Sequence, residues 1–369
     1  MKTATGMARR ERRDMQRNKL GNTGLEVSRL GLGGIPFQYI SQTETNQVIG
    51  AAHERGVNLF YTSRMYRDSE KKIGLAVRGF RDDVVLGTST HKRKKTEALK
   101  EVRQSLGNFG VDAIDVYSLH NVLTLRVLKE IMSPGGAYHA LDEMRNAGYI
   151  KHVGISAHQP ETILTALEMA AFDVVEYPLN FVDREAADGP EKLMDELKSR
   201  GIGFVSIKPM VFGYAAEAGV AFNYVFSREP DATIVGTYKL DELNENLDIE
   251  DSSREVSDEA VMAAIAQSER KCFKVFCRRC ETCVDCPQGI DIRTALRWYE
   301  YFDRYHSWDW AREHYMGLSP NLEVCDNCGV CERECPYHIP IKREFVKAKV
   351  DLLPRRSPKR LLQKKFLGR

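Results

Sequence analysis

The sequence predicts an α/β fold, a (β/α)8 TIM barrel followed by a smaller module. Three observations carry this. Short apolar runs alternate with amphipathic stretches eight times between about residue 29 and residue 250, which is the rhythm of a parallel sheet covered by helices. At 369 residues the chain can hold a barrel of about 250 residues and a second domain besides. A polar, acidic run from Glu242 to Glu259 then breaks the rhythm, and a segment of different composition, rich in cysteine, follows it.

In chain order, residues 1–17 form a basic extension carrying Arg9, Arg10, Arg12, Arg13 and Arg17. Leu20 to Ser28 reads as a hairpin, because Gly21-Asn22 and Thr23-Gly24 are turn dipeptides, and it would plug the bottom of the barrel. Strands are expected at 29–34, 57–63, 83–90, 114–120, 152–158, 174–180, 203–209 and 232–237. Helical spacing follows at 69–78, 96–106, 161–169, 190–200 and 241–247, with room for only a short helix, 220–227, in the seventh unit. Eight such units suit a closed barrel, placed at 18–252. The second domain spans 253–345, opens with a helix-like segment ending near Phe276, and has an aromatic stretch, Asp291 to Tyr315, that reads as packed helices. A basic tail at 346–369 reads as a solvated end; docking of an acidic redox protein is the other reading open to it.

A net charge of +2 gives no electrostatic case for nucleic-acid binding, and no run of about 18 apolar residues offers a membrane span. A cytoplasmic location is expected, with a small-molecule substrate. Cysteine usage points the same way: eight of the nine cysteines fall in two tight runs at metal-ligand spacing, which requires reduced thiols.

The runs are Cys277-x2-Cys280-x2-Cys283-x2-Cys286-Pro287 and Cys325-x2-Cys328-x2-Cys331-x3-Cys335-Pro336. Two-residue spacers let thiolates converge on one cube of iron and sulfide, and the Cys-Pro step turns the chain away. Bacterial-type ferredoxins lend the fourth cysteine of each run to the other cluster. By that rule Cys277, Cys280 and Cys283 join Cys335, and Cys325, Cys328 and Cys331 join Cys286, giving two [4Fe-4S] clusters. The short last spacer of the first run leaves a single cluster open, and structural zinc is the alternative metal. The long insert between the runs resembles an α-helical ferredoxin, so the module is expected to be an α-helical ferredoxin-like iron–sulfur domain. Cys272 fits neither run and reads as an ordinary thiol.

The stretch from Leu20 to Gly34 resembles the opening of an aldo/keto reductase. The likeness continues through Gly56-Val-Asn-Leu-Phe60, Tyr66, Ser69-Glu70-x2-Ile73-Gly74, Asp112 to His120, Val153-Gly-Ile-Ser156 and Glu245-Asn246-Leu247. The cysteine domain is similar to that of a ferredoxin-fused branch of that family. The resemblance implies carbonyl reduction with NAD(P)H, by an Asp-Tyr-Lys-His tetrad at the strand C-termini. Tyr66 and His120 stand at the Tyr and His positions, while Tyr61 and Ser89 replace the Asp and the Lys. Loss of both charged members together avoids stranding a buried charge, and leaves an expected neutral site of Tyr61, Tyr66, Ser89 and His120. His91, Tyr117 and Asn121 lie near strand ends as further candidates. For the nucleotide, the resemblance points to Ser156, Asn180 and Asn246, with Lys239 a substitute for the usual phosphate-binding residues; Glu242 would repel a 2′-phosphate.

The chemistry expected from these parts is that of an iron–sulfur oxidoreductase whose clusters relay electrons to a site at the barrel mouth. The alternatives are an NAD(P)H-dependent carbonyl reductase that tolerates Tyr61 and Ser89, and a non-catalytic electron-transfer subunit.

Overall fold

The computed structural model describes residues 15–181, 190–210, 218–253, 257, 259–263, 266, 277, 282–283, 285–305 and 307–353. The arginine-rich start, the segment ending near Phe276, Cys272, Cys280 and the last part of the basic tail lie outside them. The chain divides into two compact units. One comprises Met1–Leu179, Pro190–Pro209 and Val225–Ser257; the other comprises Asn180–Gly189, Met210–Tyr224 and Asp258–Arg369.

The first unit opens on a hairpin of β1 (Arg17–Lys19) and β2 (Glu26–Ser28). Its turn needs glycine: Gly21 has φ +50°, and a Cβ there would lie 2.3 Å from the Gly203 nitrogen. Eight strands then close a barrel: β3 (Leu30–Gly33), β4 (Leu59–Tyr61), β5 (Val85–Thr90), β6 (Ile114–Leu119), β7 (Ile150–Ser156), β8 (Val174–Pro178), β9 (Gly203–Ile207) and β10 (Ala232–Gly236). Neighbouring strands are parallel all the way round, and β10 pairs with β3 to close the circle. Each strand lies where the sequence places it, with ends that shift by a residue or two.

The interior is filled by Leu59, Val85, Val116, Val174, Val205, Ala232 and Ile234, with Leu20 and Val27 of the hairpin in the same cluster. Those two leucine and valine side chains are the expected plug. The helices that follow in chain order are α1 (Gln42–Glu54), α2 (Ser69–Val77), α3 (Lys95–Phe109), α4 (Leu125–Met132), α5 (Ala137–Asn146), α6 (Pro160–Met169), α7 (Pro190–Arg200), α8 (Ala218–Ser227), whose residues up to Tyr224 belong to the second unit, and α9 (Leu240–Ser253). At the start of α1, Ser41 and Glu44 exchange hydrogen bonds in a capping box, which holds the Glu44 carboxyl below its usual range. Two helices, not one, join β6 to β7. Pro134 follows the α4 C-cap Ser133, and Gly136 then starts α5.

In the second unit, α10 (Ile292–Asp303) and α11 (Trp308–Met316) pack through Trp298, Tyr301, Trp310 and His314, whose rings meet at 4.4–5.6 Å. The aromatic stretch is therefore core, as its spacing predicts. After the short α12 (Val330–Arg333), α13 (Ile341–Leu352) buries Ile341, Phe345, Ala348 and Leu352. The basic region thus begins as an amphipathic helix with an apolar stripe, not as a solvated end. Among the described residues no helix is long and apolar enough to cross a membrane.

Candidate active site and candidate metal centre

At the C-terminal ends of β4, β5 and β6 the barrel brings together three of the four tetrad positions. Ser89, the penultimate residue of β5, is buried, and its Oγ shares a 2.7 Å hydrogen bond with Nδ1 of half-buried His120. The Tyr66 ring meets the His120 ring edge-on at 6.1 Å. Hydroxyl, imidazole and phenol therefore form one polar group at the face where barrel enzymes keep their chemistry.

The backbone around this group is firmly held. Arg93 Nη2 donates to the carbonyls of His120 and Asn121 at 3.0 and 3.1 Å, and the Asn121 N–H donates to Ser156 Oγ at 2.7 Å. Asn121 adopts φ +50°, the left-handed conformation that Asn tolerates better than most residues. The loop carrying Tyr66 is tied back through Arg64, whose N–H donates to Ser89 O at 3.0 Å and whose Nη1 donates to Glu70 at 2.6 Å. Buried Glu70 accepts three further bonds of 2.8 Å from Thr88, Ser105 and Asn108, so one carboxyl group joins α2, β5, α3 and the loop.

Tyr61 is placed differently. Its side chain lies in the barrel interior, 5% exposed, above the close approach of Gly87, where a Cβ would come within 2.1 Å of the ring. The phenol shares a 2.6 Å hydrogen bond with Ser118 Oγ and donates to Glu176 Oε1 at 2.5 Å. Burial, with the nearby Glu176, pushes the Tyr61 phenol well above its usual range. Burial is also the largest influence on Glu176, raising its carboxyl to about 7 against the opposing hydrogen bonds of Ser118 and Tyr61.

The site is therefore not the neutral one expected, because β8 carries an acid into it. Glu176 is absent from the candidates read from sequence. Its signal was an isolated Glu in the apolar run Val174-Val175-Glu176-Tyr177; a barrel strand is buried on both faces, so that side chain had no solvent face to take.

The nucleotide candidates are dispersed. Ser156 is buried and accepts from Asn121; Asn246, also buried, donates to Thr237 Oγ1 at 3.4 Å; Lys239 is exposed at the start of α9. Glu242 accepts from the Tyr238 N–H at 2.8 Å, a local role at the start of that helix. Asn180 is buried and falls in the second unit. His91 is half-buried, whereas Tyr117 is turned away from the interior into the layer beneath α3, its hydroxyl 3.2 Å from Ser105 Oγ.

In the second unit, Cys283, Cys286, Cys325, Cys328 and Cys331 line one cavity. Cysteines of both runs, Cys283 and Cys286 of the first and three of the second, thus border the same space. Cys277 and Cys335 are buried. The backbone near the cavity is held by cations: Lys349 Nζ donates to Cys325 O at 3.2 Å and Arg333 Nη1 to Cys328 O at 3.1 Å. Burial, reinforced by Cys283, pushes the Cys331 thiol up to about 11. Such a thiol needs a strongly cationic neighbour to ionise, and a donor set made wholly of sulfur suits iron and sulfide. Among the described residues no three His, Cys, Asp or Glu side chains surround a single-ion position.

A closed parallel barrel with polar side chains gathered at its strand C-termini, followed by a helical module whose cysteines face one cavity, defines a barrel protein of the oxidoreductase type with an appended iron–sulfur module. The aldo/keto reductase family profile matches residues 29–259, well over half of the chain, and a 4Fe-4S dicluster domain profile matches residues 276–340. The chain belongs to the aldo/keto reductase family and carries a C-terminal 4Fe-4S dicluster domain. It is similar to an L-galactose dehydrogenase of Arabidopsis thaliana, 26% identical over 54% of this chain and 67% of that protein. It is also similar to the aldo-keto reductase YhdN of Bacillus subtilis, 27% identical over 46% of this chain and 56% of that one. Among solved structures, aldo-keto reductase AKR11C1 from Bacillus halodurans superposes with a TM-score of 0.57 at 20% identity, over 69% of this chain and 96% of that one, which shows a common fold.

Proposed function

We propose that the chain is an iron–sulfur oxidoreductase in which clusters held by the two cysteine runs supply single electrons for the reduction or oxidation of a small molecule at the barrel mouth. The observation that carries this reading is the convergence of cysteines from both runs on one cavity, in a chain whose barrel lacks the charged half of its family's tetrad. The proposed ligand sets are Cys277, Cys280, Cys283 with Cys335, and Cys325, Cys328, Cys331 with Cys286.

At the mouth, Tyr66 and His120 are the groups that would hold or move a proton. The Ser89 hydroxyl fixes the His120 ring through Nδ1. The Arg93 and Ser156 contacts hold the His120-Asn121 backbone, so the imidazole is presented from a rigid strand end. With Tyr61 and Ser89 in place of the family's acid and cation, Tyr66 and its ring neighbour His120 are the groups proposed to share the proton.

The decisive experiment is anaerobic purification followed by iron and sulfide quantitation and electron paramagnetic resonance. Two [4Fe-4S] clusters correspond to about eight irons per chain. Colourless protein, or protein holding zinc, would end this reading. With a substrate in hand, the paired change Tyr66→Phe and His120→Ala is expected to slow turnover by about 10² to 10⁴; unchanged turnover would remove both from their roles.

A second reading, NAD(P)H-dependent carbonyl reduction, draws on the family and on relatives named as a dehydrogenase and as an aldo-keto reductase. Ser156, Asn180, Lys239 and Asn246 would then hold the nucleotide. Titration with NADH and NADPH separates the two, since no binding of either leaves only the first. A third reading, a non-catalytic electron-transfer subunit, predicts clusters that no small molecule reoxidises and co-purification of an acidic redox protein with the basic tail.

A further inference from the structure

Three polar side chains meet inside the barrel core from alternate strands: Tyr61 on β4, Ser118 on β6 and Glu176 on β8. Aliphatic side chains of the strands pack in the same interior. We propose that Tyr61, Ser118 and Glu176 form a proton-loading site, in which the Glu176 carboxylate takes one proton from bulk water and later releases it, one negative charge being neutralised and restored.

The argument begins with what surrounds the acid. From β4 it faces the Tyr61 phenol and from β6 the Ser118 hydroxyl; its register neighbours on β7 and β9 are Ser156 and Val205. Among the described residues no charged side chain contributes to its ionisation. Both partners are hydroxyls, and a hydroxyl can donate or accept. The cluster can therefore accommodate an ionised carboxylate, with both hydroxyls donating, and a protonated one, with a hydroxyl accepting; the donated bonds favour the ionised form and burial opposes them.

Glu70 provides the contrast within the same barrel. Its oxygens accept from Arg64, Thr88, Ser105 and Asn108, and the guanidinium and amide among these cannot reverse direction. Glu70 has a guanidinium partner that only donates, whereas Glu176 has hydroxyl partners that can do either. Burial supplies the tendency, since it raises the carboxyl to about 7, where a small change in surroundings shifts its occupancy.

The cluster also lies close to the mouth group in register. Ser118 is the cross-strand partner of Ser89, the residue bonded to His120, and Ser156, the partner of Glu176, holds the Asn121 backbone. Loading and unloading would thus alter the charge on a side chain whose partners Ser118 and Ser156 adjoin the residues that hold the His120-Asn121 segment. This does not depend on which reaction takes place above it.

Infrared difference spectroscopy of the full chain as a function of pH tests the proposal without a substrate. A carboxylic-acid C=O band should fade as pH rises through neutrality and be missing in Glu176→Gln. Tyr61→Phe and Ser118→Ala each remove a hydrogen bond that favours the ionised form, so each should move the midpoint upward. A Glu176-dependent band that does not titrate across the neutral range, or no such band at any pH, overturns the proposal by making the acid a static core group. If Glu176→Gln fails to fold by circular dichroism, the midpoint in Tyr61→Phe decides alone: unmoved, it rules out the cluster as the controlling environment.

Discussion

A buried acid whose only partners are hydroxyls has a consequence for stability that is separate from any reaction. The folded Glu176 holds its proton up to about 7, whereas the ordinary value is 4.5. Below that ordinary value both folded and unfolded chains are protonated and there is no difference. As pH rises, the unfolded chain releases its proton first, so stability falls through the window from about 4.5 to about 7 and is level above it. The loss is on the order of 3 kcal/mol. Glu176→Gln should lack this component, so its stability relative to the native chain should improve steadily across that window in urea titrations at stepped pH. A flat difference would mean that the carboxyl is not held protonated. At Ser89 the effect should be kinetic instead: Ser89→Ala frees the His120 ring and should shift the pH profile of turnover more than it shifts stability.

At the scale of elements, the Glu70 hub and the β1–β2 hairpin make separable predictions. Glu70→Ala removes the acceptor shared by half-buried Arg64 and by Thr88, Ser105 and Asn108, and should destabilise the barrel by about 3 kcal/mol in urea unfolding. Because Arg64 also anchors the loop of Tyr66, the same change should disturb the mouth, seen as altered tyrosine and histidine resonances. Leu20 is fully buried against the strand bottoms, and Leu20→Ala should cost about 2–5 kcal/mol while leaving those resonances in place. Equal disturbance by both changes would show that the two ends of the barrel are not independent.

For the whole molecule, the two units should respond differently to removal of metal. The barrel core is complete without it, whereas the cysteine cavity is lined by thiols that must ionise to bind. Chelation should therefore lower a thermal transition belonging to the cysteine domain and leave the barrel transition in place, as followed by calorimetry. Cluster assembly should release protons, in keeping with the raised Cys331 thiol. Cys286→Ser, which removes one member of one proposed ligand set, should reduce iron from about eight to about four per chain. Loss of all iron would indicate that the two sites assemble only together, and unchanged iron would remove Cys286 from the ligands.

Periodicity determined the eight strands and six of the helices, though not α1, α4 or α5, and turn dipeptides determined the hairpin at the base; burial on both faces of a parallel strand leaves a continuous apolar run that is legible in one dimension. Spacing alone identified the eight cysteines as candidates, because thiols serving one centre need short, regular intervals. The positions of Tyr66, Ser89 and His120 were legible only through the resemblance to the aldo/keto reductases. What tertiary structure decided was which of these side chains meet. It paired Ser89 with His120, turned Tyr117 outward to Ser105, and drew Tyr61 down to Ser118 and Glu176. Residues 61, 118 and 176 are more than fifty positions apart in sequence, and only closure of the barrel, which brings alternate strands to face one another across its axis, places them within hydrogen-bonding distance.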